Sequence, residues 1–181
     1  MQDKVVVITG ATSGIGAIAA EKLAGMGTRI LVVARDRTRG EATLKRLRET
    51  APGIDHRVYY ADLSLVKEMK RVGNEIAAAE RRIDVLINNA GALFGKRELT
   101  GEGLERTFAT NHMSYFVVTE QLRERLLASA PARVINTSSE AHRGMKIDLG
   151  DQHGSRSYQA FRAYGRSKLC NILFTRELAR Q

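Results

Sequence analysis

Tyr164 and Lys168 stand four residues apart, which puts both on one face of a helix if the stretch around them is helical. A free phenol is a poor base near neutral pH, but an ammonium held beside it stabilises its phenolate. Such a pair could move a proton to or from a substrate oxygen. Alone it means little, because Tyr and Lys at that spacing also meet on solvated helix faces. Its company matters more. Near the start of the chain an apolar run opens directly into Thr9-Gly10-Ala11-Thr12-Ser13-Gly14-Ile15-Gly16. Glycines there allow a tight turn, close approach of a pyrophosphate and close helix packing. The helix N-terminus would then offer free N–H groups to the phosphates. Gly10, Thr12, Ser13, Gly14, Ile15 and Gly16 are the candidate phosphate-binding residues; a plain strand-to-helix turn is the bland alternative.

The end of the second apolar run reads Val32-Val33-Ala34-Arg35-Asp36-Arg37. An NAD site would place Asp or Glu on the ribose 2′-hydroxyl there, whereas here the position is Ala34 and Arg35 follows. A guanidinium at that point suits a 2′-phosphate, so NADP(H) is favoured over NAD(H). The alternative is that Arg35 is a solvated loop charge and that Asp36 turns inward to the ribose.

These residues need a scaffold, and the hydrophobic pattern supplies one. Runs at Lys4 to Thr9, Arg29 to Ala34, Arg57 to Ala61, Ile83 to Asn88 and Arg133 to Thr137 lack alternation, as strands buried on both faces do. Between them lie helical patterns. Ile15, Ile18, Ala19, Leu23 and Met26 form one apolar stripe, closed by Gly27. Leu65, Met69, Val72 and Ile76 form another after a capping Ser64. Residues 38–49, 112–128 and 159–179 are helical by composition and spacing. Strand and helix in alternation predict an α/β fold, a doubly wound, mostly parallel sheet in one domain over 1–181. With five strands, where a full dinucleotide-binding sheet has six or more, strand 5 is left as an apolar edge.

Composition excludes other classes. The 181 residues carry 29 Lys+Arg against 20 Asp+Glu, a net +9, with 43% hydrophobic and 27% charged residues. Basic residues are interleaved with Glu and never form a block of five, so nucleic acid is not the expected partner. Cys170 is the only cysteine, excluding a disulfide and a multi-cysteine zinc site. His56, His112, His142 and His153 lack metal spacing, so no metal is expected. No apolar run approaches the roughly 18 residues of a membrane span. Met1 is followed almost at once by the first apolar run, leaving no room for a signal peptide, and a cytoplasmic setting is expected. Gly91 to Arg97 falls one residue short of a triphosphate loop. A Ser139–His142 nucleophile pair lacks an elbow and a matched acid.

Taken in order, the glycine loop, Asp62-Leu63, Asn88-Asn89-Ala90-Gly91, Asn111, Ser138-Ser139 and Tyr164-x3-Lys168 resemble the short-chain dehydrogenase/reductase family over essentially the whole chain. The strings Asn136 to His142 and Ser167 to Leu178 look most like its retinol-dehydrogenase and WW-domain-oxidoreductase branch, as does the 25-residue step from Ser139 to Tyr164. The resemblance implies a Rossmann-like sheet of order 3-2-1-4-5 lacking the family's last strands. It implies Tyr164 as general acid or base and Lys168 as its partner and a ligand of the nicotinamide ribose. Ser139 would donate to the substrate oxygen, with Ser138 as the register alternative. Asn111 would hold a water that links Lys168 to solvent, unless it merely caps a helix near His112. Asp62 and Leu63 would face the adenine, unless Asp62 only opens a helix. Asn88, Ala90 and Gly91 would line the cofactor cleft, and Asn89 would stabilise the sheet. The implied activity is NADP(H)-dependent interconversion of a carbonyl and an alcohol. The substrate would be lipophilic, such as a retinoid, steroid or long-chain aldehyde. A homodimer or homotetramer would form through helices at 102–128 and 158–180. A catalytically silent nucleotide-binding protein and a basic scaffold are the alternatives.

Overall fold

In the computed structural model, which describes residues 1–151 and 153–180, each of the five apolar runs becomes a strand. They are β1 Val5–Thr9, β2 Arg29–Ala34, β3 Arg57–Tyr60, β4 Val85–Asn88 and β5 Arg133–Asn136. All pair in parallel, in the order β3-β2-β1-β4-β5. Helices α1 (Gly14–Gly25), α2 (Arg37–Thr50) and α3 (Val66–Ala79) follow the first three strands. After β4 come a short helix α4 (Arg106–Phe108), a π-helical turn (Ala109–Met113) and α5 (Ser114–Ala128). After β5 come a 3₁₀ turn (Glu140–His142) and α6 (Ala160–Leu178).

Alternate side chains of the central strands enter two separate cores. Val7, Leu31, Val33 and Leu86 meet Met69, Val72 and Ile76 of α3 and Val118, Leu122 and Leu126 of α5. Val6, Ile8, Ile30 and Val32 meet Ala20 and Ala24 of α1 and Leu47 of α2. Ile87 and Ile135 are register partners on neighbouring strands, and Ile135 is 47% exposed. The apolar edge expected at strand 5 is therefore present.

Two local expectations are corrected. The apolar stripe expected on α1 is split: Ala19 and Leu23 pack against the core, whereas Ile15, Ile18 and Met26 are exposed, and Gly16, Ala17, Ala20 and Ala24 are the buried residues. The first turn of the helix lies so close to the loop after β1 that no side chain fits at Gly16, whose Cβ would stand 2.3 Å from the Gly10 carbonyl oxygen. Gly27 does take the left-handed backbone expected after this helix, with φ +79°. Nor does Ser64 cap α3. Its N–H and hydroxyl both donate to Asp62. The free N–H groups of Val66 and Lys67 are met by the Glu102 carboxylate from a distant loop. Among the described residues no helix is long and apolar enough to cross a membrane.

Candidate active site

The strand order reverses between β1 and β4, and a cleft of about 780 Å³ opens at the carboxyl ends of the strands. Every strand contributes the residues just beyond its end. After β1, Gly10, Thr12, Ser13, Gly14, Ile15 and Gly16 form one wall. Ser13 is the N-cap of α1 in extended conformation, and its hydroxyl makes no cap bond, so the first N–H groups of the helix are left to the cleft. Asn89 fastens this loop to β4, its amide nitrogen donating to the carbonyls of Thr9 at 3.2 Å and Gly10 at 3.1 Å. Asn89 thus has the structural part expected of it, and it also reaches the cleft wall.

After β2, Arg35 lies exposed on the wall with no hydrogen bond or ion pair among the described residues. Asp36 does not turn inward: its carboxylate caps α2 by accepting from the Arg39 N–H at 2.8 Å. Arg37 stacks on the Tyr60 ring, 4.5 Å from its centroid. After β3 and β4, Asp62, Leu63, Ala90 and Gly91 line the cleft. Asp62 both lines the cleft and closes the turn with Ser64.

Tyr164 and Lys168 reach the same cleft from α6, Tyr164 part-buried and Lys168 only 3% exposed. Lys168 Nζ donates to the Thr137 carbonyl at 3.1 Å and lies 5.6 Å from the Tyr164 ring centroid and 5.5 Å from that of Tyr115. Burial without an anionic partner pulls its pKa down to about 8. Burial likewise pushes the Tyr115 phenol up, helped by Tyr164. Gly165 allows α6 to approach the serine-bearing segment; a Cβ there would meet the Ala141 carbonyl oxygen at 2.4 Å.

Three predicted residues are not on the cleft wall. Asn88 is fully buried, and its amide nitrogen donates to Thr119 and Asn136 across β4, α5 and β5, so it braces the sheet. Strand alternation turns it away from the cleft and hands that position to Asn89. Asn111 lies inside the π-turn and so is not a helix cap. Its side chain donates to the Ala92 carbonyl and Ser167 and accepts from the Ala92 N–H. Ser139 caps the 3₁₀ turn, where its oxygen accepts from the Ala141 N–H at 3.2 Å and its hydroxyl has no acceptor among the described residues. The Ser138 hydroxyl donates to the Lys168 backbone carbonyl. His142 Nδ1 lies 2.6 Å from the Ser139 carbonyl oxygen, which is not a nucleophile-activating contact.

Sequence reasoning missed Arg39, Leu93, Phe94, Arg106, Thr110 and Thr137 on the wall, with Arg106 stacked 4.4 Å over Phe94. It also missed Asn171, whose signal was legible. It is a lone polar residue in the run Leu169 to Phe174, three positions after Lys168 and so on the same helical face.

The family model for short chain dehydrogenase matches residues 4–181. The chain belongs to that family. This short-chain dehydrogenase is 43% identical over 178 residues to retinol dehydrogenase 12 of Mus musculus, covering 98% of this chain and 56% of the relative. It thus spans little more than half the length of the curated relatives it matches. Among solved structures, an uncharacterized protein from Mycobacterium paratuberculosis superposes with TM-score 0.84 at 36% identity, covering 99% of this chain and 62% of the other. The RhlG/NADP active-site complex of Pseudomonas aeruginosa superposes with TM-score 0.79 at 31% identity, covering 99% and 67%.

Proposed function

We propose that this short-chain dehydrogenase takes part in NADP(H)-dependent interconversion of a carbonyl and an alcohol, with residues 1–181 forming one nucleotide-binding and catalytic unit. The observation that carries the cofactor choice is Arg35, on the cleft wall without a partner among the described residues and beside an Asp36 already committed to α2. The residues fit the group. Open N–H groups at the start of α1 suit a diphosphate, the free guanidinium suits a 2′-phosphate, and the cleft volume is in the ordinary range for ligand sites. The NADP in the RhlG complex agrees with this reading.

When bound, the nicotinamide supplies hydride in reduction and takes it in oxidation. The Tyr164 hydroxyl gives its proton to the substrate oxygen in reduction and, as phenolate, takes one back in oxidation. Lys168, nearly buried and 5.6 Å from the centre of that ring, returns the proton. Ser139, whose hydroxyl has no acceptor among the described residues, donates to the same oxygen as charge develops on it. Leu93 and Phe94 on the wall suit a lipophilic substrate, in keeping with relatives named retinol dehydrogenases. Phe116 of α5 and Leu173 of α6 are 43% and 46% exposed, which favours a homodimer or homotetramer through those helices.

Ser139 lying off the cleft wall favours one second reading, a nucleotide-binding protein without turnover. Thermal unfolding with NADPH, NADH or neither tests the first step. A ligand at about 100 times its Kd adds roughly 2.7 kcal/mol. A larger rise with NADPH than with NADH supports the cofactor reading, and a transition moved by neither overturns it. NADPH binding without reduction of any aldehyde or ketone selects the second reading.

A further inference from the structure

Asn171 has no exposed surface, and nothing in the reaction just described uses it. Its amide nitrogen donates to the Asn111 carbonyl at 2.9 Å and to the Thr137 carbonyl at 3.4 Å. Its amide oxygen lies 3.0 Å from His112 Nδ1. Carbonyls only accept, so these partners fix which way the amide points, and the oxygen then requires a hydrogen on His112 Nδ1. Burial holds His112 below its ordinary range, which keeps the ring neutral with that hydrogen in place.

The Thr137 carbonyl is the atom on which Lys168 rests, at 3.1 Å. β5 ends one residue earlier, and among the described residues no backbone N–H reaches this oxygen. Only side chains hold it: Lys168, Asn171 and, at 3.5 Å, the Tyr115 hydroxyl. The Asn111 carbonyl belongs to the π-turn, the irregular helical geometry often found beside functional sites. One amide therefore ties the end of β5 to the π-turn directly beneath the ammonium.

We propose that Asn171 is a positioning residue for Lys168, acting through the Thr137 carbonyl and oriented by His112. The proposal rests on Lys168 being the cation that serves Tyr164. Asn171 touches no reacting atom. Its part is to stop the Thr137 carbonyl from drifting, because Lys168 would follow. The titratable groups facing Lys168 are Tyr164 from α6 and Tyr115 from α5, with His112 behind Asn171; no carboxylate pairs with it among the described residues.

The test is an NMR titration of the chain labelled with ¹³C at lysine Cε, with the Lys168 resonance assigned by its loss in Lys168→Met. Aldehyde reduction by NADPH is followed in parallel. In Asn171→Ser the Lys168 midpoint should rise by about half a unit or more as the ammonium moves toward water. In Asn171→Asp it should rise by about one unit or more, because a carboxylate then faces the same carbonyl. Turnover should fall about 10- to 100-fold in kcat, with the KM for NADPH changed by less than about threefold. A folded Asn171→Ser chain whose Lys168 midpoint stays at the wild-type value overturns the proposal, and that neutral variant decides if Asn171→Asp does not fold. Wild-type chain that reduces no carbonyl counts against the oxidoreductase reading alone, since the Lys168 midpoint still decides the role of Asn171.

Discussion

The Asp36 carboxylate accepts the Arg39 backbone N–H at 2.8 Å, which commits it to α2 and leaves Arg35 at the end of β2 without a partner among the described residues. Arg35→Ala should therefore weaken NADPH binding by about 10- to 100-fold, from the roughly 1.5–3 kcal/mol of a charge-assisted hydrogen bond. NADH binding should be unchanged. Asp36→Ala should cost about 1 kcal/mol of stability through the lost cap, with little effect on either nucleotide. Titrations of both nucleotides with each variant check this. Equal loss of NADPH and NADH in Arg35→Ala would contradict it.

Gly16 stands where no larger residue fits, between the Gly10 carbonyl and Asn89 Nδ2. Gly16→Ala should push the phosphate loop from β4, cost about 1–3 kcal/mol and remove the thermal shift given by NADPH. Urea denaturation and the shift, measured together, separate the two effects. A variant that keeps the full shift would show that the loop tolerates displacement.

Lys168 carries its charge in a nearly buried position, so activity and stability should diverge. Tyr164→Phe should reduce carbonyl turnover by about 10²- to 10⁴-fold while NADPH still binds. Lys168→Met should also lose turnover, yet gain about 1–3 kcal/mol of stability at pH 7 by removing a desolvated ammonium. The sign follows from the lowered pKa. The unfolded chain holds the Lys168 proton up to about 10.5 and the folded chain only to about 8, so the cost is full below pH 8 and fades as pH rises toward 10.5. The stabilisation by Lys168→Met should therefore shrink between pH 8 and pH 10, as denaturation at the two pH values would read out.

Two other buried groups set the acid limit. His56 is 1% exposed, its Nδ1 accepts from the Ile30 N–H at 3.0 Å, and its Nε2 has no partner among the described residues. Burial chiefly, with Arg29 and Arg48, lowers its pKa, and burial lowers that of His112. Below about pH 6.5 the unfolded chain takes up these protons before the folded one does. Stability should be full above that value and fall as pH drops below it. Protonation of His56 would also cost β2 its Ile30 bond. A urea midpoint lower at pH 5.5 than at pH 7.5, with the difference reduced in His56→Leu, is the expected result; equal midpoints would refute it.

The sequence by itself determined the five strands, the helices between them and the clustering of the glycine loop, Arg35, Asp62-Leu63, Ala90-Gly91 and Tyr164–Lys168. These are legible because each follows a contiguous run whose end the chain order fixes, and a parallel sheet brings all such ends to one side. Only the tertiary structure decided what depends on distance between elements. The stripe Ile15, Ile18, Ala19, Leu23, Met26 has the right period for a buried face, yet only Ala19 and Leu23 of it reach the core, and Gly16, Ala17, Ala20 and Ala24 fill the closest approach of the helix. Asn88 and Asn89 are equivalent in composition, and strand direction alone sends one into the sheet and the other to the phosphate loop. Glu102 caps α3 from 36 residues away, and Asn171 joins Asn111 and Thr137 from elements 60 and 34 residues off. Pattern reading reaches one helical turn or one strand; bonds made across the fold appear only when the elements have packed.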